Sequence, residues 1–195
     1  MKILRASDYR RMPWKNGGGE TVEIAVFPAG ASIEDFDWRI SMATVASDGP
    51  FSRFPEVDRT LSILSGNGIV LTIDGGPALT LDLHSDPCPF PADKPALATL
   101  VNGATTDLNV MTRRGRFSHH VIKQPTPVSL SPARSLRFVL ATGRNGITSG
   151  SENADLEPLD CLVIEAGATG DFAISGNSGM FLIELYPESP KFGAS

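Results

Sequence analysis

The stretch RTLSILSGNGIVLTIDGG (residues 59–76) decides the fold. Two apolar runs, each of strand length, are split by Ser65-Gly66-Asn67-Gly68, and the second run ends at Asp74-Gly75. Glycine tolerates the backbone angles of a sharp reversal, and Asn-Gly and Asp-Gly pairs favour turns. The stretch reads as strand, turn at 65–68, and second strand, with no helical period.

The same alternation extends outward. In TVEIAVF (21–27), Val22, Ile24 and Val26 are expected on one face, with Thr21, Glu23 and Ala25 on the other. In DWRISMATV (37–45), Trp38, Ile40 and Met42 share a face opposite Arg39 and Ser41. ALTLDLH (78–84) and DLNVMTRR (107–114) continue the pattern, and SDPCPFPADKP (85–95), with four prolines, must be a loop or an edge connection. SLRFVLATG, DCLVIEAG, GDFAISG and GMFLIELYP are strand-like in the second half. Aligning LSILSG with FVLATG, and LNVMTRR with FLIELYP, gives an internal repeat of about 75 residues. Short strands without intervening helices imply antiparallel barrels. The expected fold is all-β: two tandem double-stranded β-barrels of jelly-roll type. An N-terminal extension and the first lobe would occupy 1–122, and the linker and second lobe 123–195. The linker is placed near KQPTPVSLSPARS (123–135).

The bulk properties narrow the functional classes. A chain of 195 residues can bury a core without disulfides or metal. A net charge of −5 argues against nucleic acid or anionic membrane as a global partner. No segment approaches the roughly 20 apolar residues of a membrane helix, and Arg5 and Asp8 interrupt any signal core. Cys88 and Cys161 are expected as reduced thiols, and the location as cytoplasmic.

A barrel built on an internal repeat, with a strand-Gly-x-Gly-strand hairpin, resembles the cupins. Metal-binding cupins offer an HxH pair, a Glu and a later His. This chain has only His84, His119 and His120, and adjacent residues on a strand point to opposite faces. No metal and no cofactor are expected. No GxSxG elbow is present, and PWKNGGGET (13–21) lacks the Gly-Lys-Ser/Thr ending of a phosphate loop. Its three glycines imply either a tight turn or a close approach to something else.

Local positive charge is the feature that the acidic total hides. Lys15, Arg39, Arg53, Arg59, Arg113 and Arg114 lie in or beside the first lobe's strands. If Trp38, Ile40 and Met42 pack against a sheet or the other lobe, Arg39 and Ser41 point into the barrel mouth. There a planar guanidinium suits a carboxylate. The alternative for Arg39 is an internal pair with Glu23, whose strand would lie alongside.

The blocks PWKNGGGETVEI, FDWRISMATVASDGPFSRFPEVDRTLSILSGNGIVL and DLNVMTRRG occur in that order between Trp14 and Gly115 and resemble the HutD/Ves family. The resemblance implies a cytoplasmic bicupin without established catalytic activity. Such proteins accompany histidine-utilisation genes and are thought to bind a pathway intermediate, with N-formyl-L-glutamate the favoured ligand, and so to limit output. Ves members are linked instead to cold or stress responses. Carried over by position, the implied ligand site comprises Trp14, Lys15, Asn16, Gly17, Gly18, Gly19 and Thr21 from the first block. Arg39, Ser41, Ser52, Phe54 and Arg59 come from the second, in which Phe51 also matches the motif, and Asn109, Met111 and Arg113 come from the third.

In that site Arg39 and Arg59 would clamp carboxylates, and Ser41, Ser52 and Asn109 would supply neutral hydrogen bonds. Lys15, Asn16 and Trp14 would close over a small anionic metabolite, with glycine N–H groups donating to it. Two other classes stay open: a metal-free cupin isomerase, epimerase or hydrolase using Glu23, Asp48, Asp58 or His84 as base, and a scaffold or homodimer pairing through its sheets.

Overall fold

The computed structural model describes residues 1–14 and 17–188. Among these residues every regular element is a β-strand except one short 3-10 turn at Ala6–Asp8. The expected all-β class is met. The chain divides into two compact units, one of Arg10–Ser118 with Glu188, the other of Met1–Tyr9 with His119–Pro187.

The first strand, β1 (Lys2–Leu4), belongs to the second of these units. The unit starting at Arg10 contains β2 (Arg10–Pro13), β3 (Gly19–Phe27), β4 (Trp38–Val45), β5 (Gly49–Pro50), β6 (Val57–Ser65), β7 (Ile69–Ile73), β8 (Ala78–Leu81), β9 (Cys88–Pro91), β10 (Ala96–Leu100) and β11 (Thr105–Arg113). One sheet has the order β2-β3-β4-β11-β6-β9 and the other β5-β10-β7-β8. Leu61 and Ile63 of the first sheet pack with Ile69, Leu71, Leu81, Ala96 and Ala98 of the second. Each fully buried Leu or Ile here contributes roughly 1.5–3 kcal/mol.

The stretch at 59–76 departs from a hairpin in one respect. β6 pairs with β11 and β9, whereas β7 pairs with β10 and β8, so the turn carries the chain from one sheet to the facing one. Gly66 and Gly68 take φ of 91° and 90° there. A Cβ on Gly68 would lie 2.1 Å from the Leu81 carbonyl oxygen, so the crossing requires glycine twice over.

A second departure is a bulge in β3. The register with β4 shifts between Glu23 and Ala25, so Val22 pairs with Met42 but Val26 pairs with Arg39. The extra residue turns Val26 onto the face of Thr21 and Glu23 rather than that of Val22. Val26 packs there beside the buried cluster of Phe36, Val57, Ala92 and Met111. Proline-rich 85–95 holds β9, the edge strand beyond β6, where missing N–H groups cost least.

The other unit pairs β12 (Phe117–Gln124), β14 (Leu136–Ala141), β17 (Cys161–Ile164) and β19 (Met180–Pro187) with β1 in the order β1-β17-β14-β19-β12. Its second sheet contains β13 (Val128–Leu130), β15 (Asn145–Ser149), β16 (Glu152–Leu156) and β18 (Phe172–Gly176). Leu130, Val139, Ile147, Leu156, Leu162 and Ile174 form its core. The antiparallel pairing of β14 with β19 repeats that of β6 with β11, as the internal sequence repeat requires. No helix among the described residues is long and apolar enough to cross a membrane.

Candidate ligand-binding site

Strand register assembles the site. Ser41 pairs with Asn109, and Asn109 with Leu61; one row along, Arg39 pairs with Met111, and Met111 with Arg59. Residues two apart on a strand share a face, so Arg39, Ser41, Arg59, Asn109 and Met111 all project into the barrel. They line a cavity of about 430 Å³ with Met12, Pro13, Trp14, Thr21, Ile33, Ala43, Pro50, Phe51, Ser52 and Phe54. Every lining residue belongs to the unit that starts at Arg10.

Arg59 is the most unusual member. Only 3% exposed, its guanidinium carbon lies 5.3, 5.2 and 5.7 Å from the ring centroids of Phe51, Phe54 and Phe90. The aromatic faces attract the cation but provide no hydrogen-bond acceptor in the guanidinium plane. Its Nη2 reaches the Ser52 carbonyl at a long 3.4 Å, and its buried Nε has no partner. Burial pulls the pKa down to about 10, with Asp107 opposing the shift and Arg39 adding to it. Arg59 therefore stays charged at neutral pH.

Arg39 is different. Its Nε donates to Glu23 Oε2 at 2.8 Å, and both side chains are largely buried. The internal pair that the sequence offered as an alternative is formed, on the wall of the cavity rather than away from it.

Deeper along β11 lies Asp107, which is fully buried. Asn109 Nδ2 donates to its Oδ1, while Oδ2 has no partner. Burial pushes this carboxyl up to about 7, against the opposing influence of Arg59, the Asn109 amide and the Ala43 N–H.

The glycine run has a definite task at the rim. Gly17 takes φ of 70° and its N–H donates to the Trp14 carbonyl, while Trp14 N–H donates to the Gly19 carbonyl. A Cβ on Gly19 would lie 2.0 Å from Thr44 O and 3.1 Å from the Trp14 ring. The glycines thus form a tight turn and let Trp14 pack closely against β3. Its indole N–H donates to Thr21 Oγ1 at 2.8 Å, fixing the ring as a cavity wall.

Comparison with known proteins identifies the group. The HutD family model matches residues 6–182. The chain belongs to the HutD family. An uncharacterised 21.2 kDa protein from the hutC 3′ region of Pseudomonas putida is 33% identical over 167 residues, covering 85% of this chain and 87% of that one. Protein Ves of Citrobacter koseri is 43% identical over 113 residues, which span 56% of this chain and 58% of Ves. The HutD structure from Pseudomonas fluorescens, obtained in a formate condition, superposes with a TM-score of 0.82 at 31% identity, covering 96% of this chain and 99% of that one. Oxalate decarboxylase of Lactobacillus farciminis shares the fold alone, at 11% identity and a TM-score of 0.62, with 96% of this chain and 86% of that one covered. The fold is the expected bicupin.

The HutD-family motif residues distribute unevenly around the cavity. Trp14, Thr21, Arg39, Ser41, Ser52, Phe54, Arg59, Asn109 and Met111 line it. Gly17, Gly18 and Gly19 shape the turn behind Trp14, and Lys15 and Asn16 lie outside the described residues. Arg113 is not on the cavity wall. Its Nε and Nη2 donate to the carbonyls of Phe36 and Glu34 at 3.1 and 2.7 Å, pinning the 28–36 loop beside a second hollow of about 560 Å³. Arg53 and Arg114 are held at the surface by Asp93, the latter also by Asp58.

Sequence reasoning missed Met12, Pro13, Ile33, Ala43, Pro50 and Asp107. Asp107 carried a signal, since it shares β-strand parity with Asn109 and Met111 and therefore had to point inward. Ile33 and Pro50 arrive from loops, which alternation does not reach. Among the described residues no group of three or more His, Cys, Asp or Glu side chains could hold a metal ion.

Proposed function

We propose that this HutD-family protein binds a small carboxylate in the cavity of the barrel starting at Arg10, and acts as a non-catalytic regulator of histidine utilisation in the cytoplasm. The supporting observation is Arg59, a charged guanidinium on a cavity wall with a buried Nε lacking any partner. A buried cation without a hydrogen-bonded counter-charge is costly, and an anionic ligand would relieve that cost. The formate condition of the Pseudomonas fluorescens HutD structure is consistent with a carboxylate as occupant.

N-formyl-L-glutamate is the ligand we favour. Its two carboxylates would meet Arg59 and the outer edge of Arg39, and its formamide would meet Ser41 and Asn109. Its methylene stem would rest on Met111, Phe54 and Trp14. About 430 Å³ suits a metabolite of this size. Calorimetric titration and thermal melting with N-formyl-L-glutamate test the proposal. Saturable binding with a rise in melting temperature is expected, with the ligand recovered unchanged. Silence in both assays rejects this ligand, and conversion of the ligand would move the protein to the enzymes.

A further inference from the structure

Asp107, Asn109 and Arg59 form a polar file within the barrel. Asp107 and Asn109 are alternate residues of β11, and Arg59 lies on β6 opposite Met111, two residues further along β11. Asp107 does not reach the cavity wall, whereas Asn109 and Arg59 do. Two buried atoms of the file have no hydrogen-bond partner: Oδ2 of Asp107 at one end and Nε of Arg59 at the other. Among the described residues no ion pair joins the two side chains, although both are almost wholly buried.

Asn109 connects this interior carboxyl to the ligand space. Its Nδ2 donates to Asp107 Oδ1. An amide is planar, with donor and acceptor on diverging arms, so an Asn that gives its N–H₂ to Asp107 presents its carbonyl oxygen away from Asp107. That orientation suits an ionised Asp107, which only accepts. It opposes the carbonyl oxygen of the ligand's formamide, because two acceptors would then meet. A protonated Asp107 reverses the geometry. The acid O–H donates to Asn109 Oδ1, the amide turns over, and its N–H₂ faces the cavity as a donor.

We propose that this barrel captures a carboxylate together with one proton, taken up by Asp107 and transmitted to the ligand as a flip of the Asn109 amide. The inference rests on the carboxylate reading of the same cavity and adds its regulation. The proton comes from solvent and forms an O–H bond on Asp107; nothing else is made or broken. Asp107 is then a positioning residue that acts through Asn109.

The surroundings favour the coupling. The titratable or charged groups on the inward face around Asp107 are Arg59 from β6, Arg39 from β4 with its partner Glu23 from β3, and the half-buried Cys88 from β9. The facing sheet supplies Ile69, Leu71, Ala96 and Ala98, none of them charged. In the empty site Arg59 is the cation that most favours ionised Asp107, and a ligand carboxylate on Arg59 cancels that support. Capture of the anion therefore raises the affinity of Asp107 for a proton. The carboxyl already stands near neutrality, at about 7, so a gain of roughly a hundredfold in proton affinity on capture holds it protonated at pH 8.

N-formyl-L-glutamate titrated calorimetrically in buffers of different ionisation enthalpy at pH 8 tests the coupling. Wild-type protein is expected to take up close to one proton per ligand. Its Kd should be flat below pH 6 and rise about tenfold between pH 7.5 and 8.5. Asp107→Asn, which mimics the neutral acid in size and donor capacity, is expected to bind with a Kd that does not change over that range and without proton uptake. Thermal melting verifies that the variant is folded. Binding without proton uptake, or an unchanged pH profile in Asp107→Asn, overturns the coupling and leaves the carboxylate reading standing. No binding of N-formyl-L-glutamate or glutarate at any pH overturns both.

Discussion

Arg39 and Arg59 flank Met111 on one cross-strand row, and among the described residues only Arg39 has a carboxylate partner. Two strand spacings, roughly 10 Å, separate their backbones. The cavity therefore presents one neutralised guanidinium and one that aromatic rings surround but do not bind through hydrogen bonds. This asymmetry assigns Arg59 the larger share of anion recognition and Arg39 the role of a tethered second arm.

Replacing Arg59 separates binding from stability. A methionine fills similar space against Phe51, Phe54 and Phe90 and removes a charge whose Nε has no partner. Burying such a cation costs free energy that apolar packing does not. Arg59→Met is expected to melt at or above the wild-type temperature. It should also lose carboxylate binding by tenfold to a hundredfold, since a charge-assisted hydrogen bond contributes roughly 1.5–3 kcal/mol. A Kd unchanged in calorimetry, with the fold intact, removes Arg59 from recognition.

Glu23 has the reverse signature. Glu23→Gln leaves the Arg39 guanidinium largely buried without its counter-charge. Loss of a partner from a fully buried pair costs about 3–5 kcal/mol, and the residual solvent at Glu23 reduces this to about 2–3 kcal/mol. Urea denaturation should register that loss, while Lys94→Ala, which breaks the exposed pair with Asp74, should leave the midpoint nearly unchanged. The same Glu23→Gln protein should bind carboxylates more tightly, because the cavity then has two unneutralised cations. Weaker binding in the folded variant would contradict the role given to Arg39.

The fold was legible where alternation is regular. Ser41 and Arg39 could be placed inside the barrel because Trp38, Ile40 and Met42 take the other face without interruption, and the parity of Asn109 and Met111 follows in the same way. Val26 escapes that pattern, since a single inserted residue at the β3 bulge reverses every later side chain of the strand and leaves no mark in composition. The partners of β6 and β7 were also out of reach. A turn at 65–68 fixes that the chain reverses, but facing-sheet geometry depends on contacts such as Gly68 against Leu81, which lie between segments remote from the turn. At the site, charge type was readable and charge pairing was not. Arg39, Arg59 and Arg113 look alike in sequence, yet one meets Glu23, one meets phenyl rings and one meets backbone carbonyls.

The glycine turn yields a graded prediction. A Cβ at Gly17 meets open space, and its cost is that of a non-glycine residue at positive φ, about 1 kcal/mol. A Cβ at Gly19 collides with the Thr44 carbonyl and crowds the Trp14 ring, neither of which can retreat without disturbing the β3–β4 ladder. Gly19→Ala should therefore cost more than Gly17→Ala, at the upper end of the roughly 1–3 kcal/mol typical of overpacking. It should also shift tryptophan emission as the Trp14 ring leaves the cavity wall, whereas Gly17→Ala should not. Equal losses in the two variants would show that Gly19 has no special role.

The pH dependence of stability contains two opposed contributions that paired variants can separate. Folding raises the Asp107 carboxyl from 3.8 to about 7. Between those values the folded state holds the proton more often than the unfolded state, so stability is full below pH 4 and falls as pH rises to 7, with a limiting slope of about 1.4 kcal/mol per pH unit. Folding lowers His119 from 6.5 to about 4, chiefly through burial. There the unfolded state binds the proton more readily, so stability is full above pH 6.5 and falls as pH drops toward 4. The wild-type profile between pH 4 and 6.5 is thus flattened by cancellation. Asp107→Asn should gain on wild type steadily from pH 4 to 7 and keep that advantage above it. His119→Gln should gain on wild type in the other direction, from pH 6.5 down to 4. Denaturant midpoints at half-unit pH steps measure both differences. An Asp107→Asn advantage that stays constant across the series would mean that this carboxyl does not titrate near neutrality in the folded barrel, and the proton-linked capture of a carboxylate would fail with it.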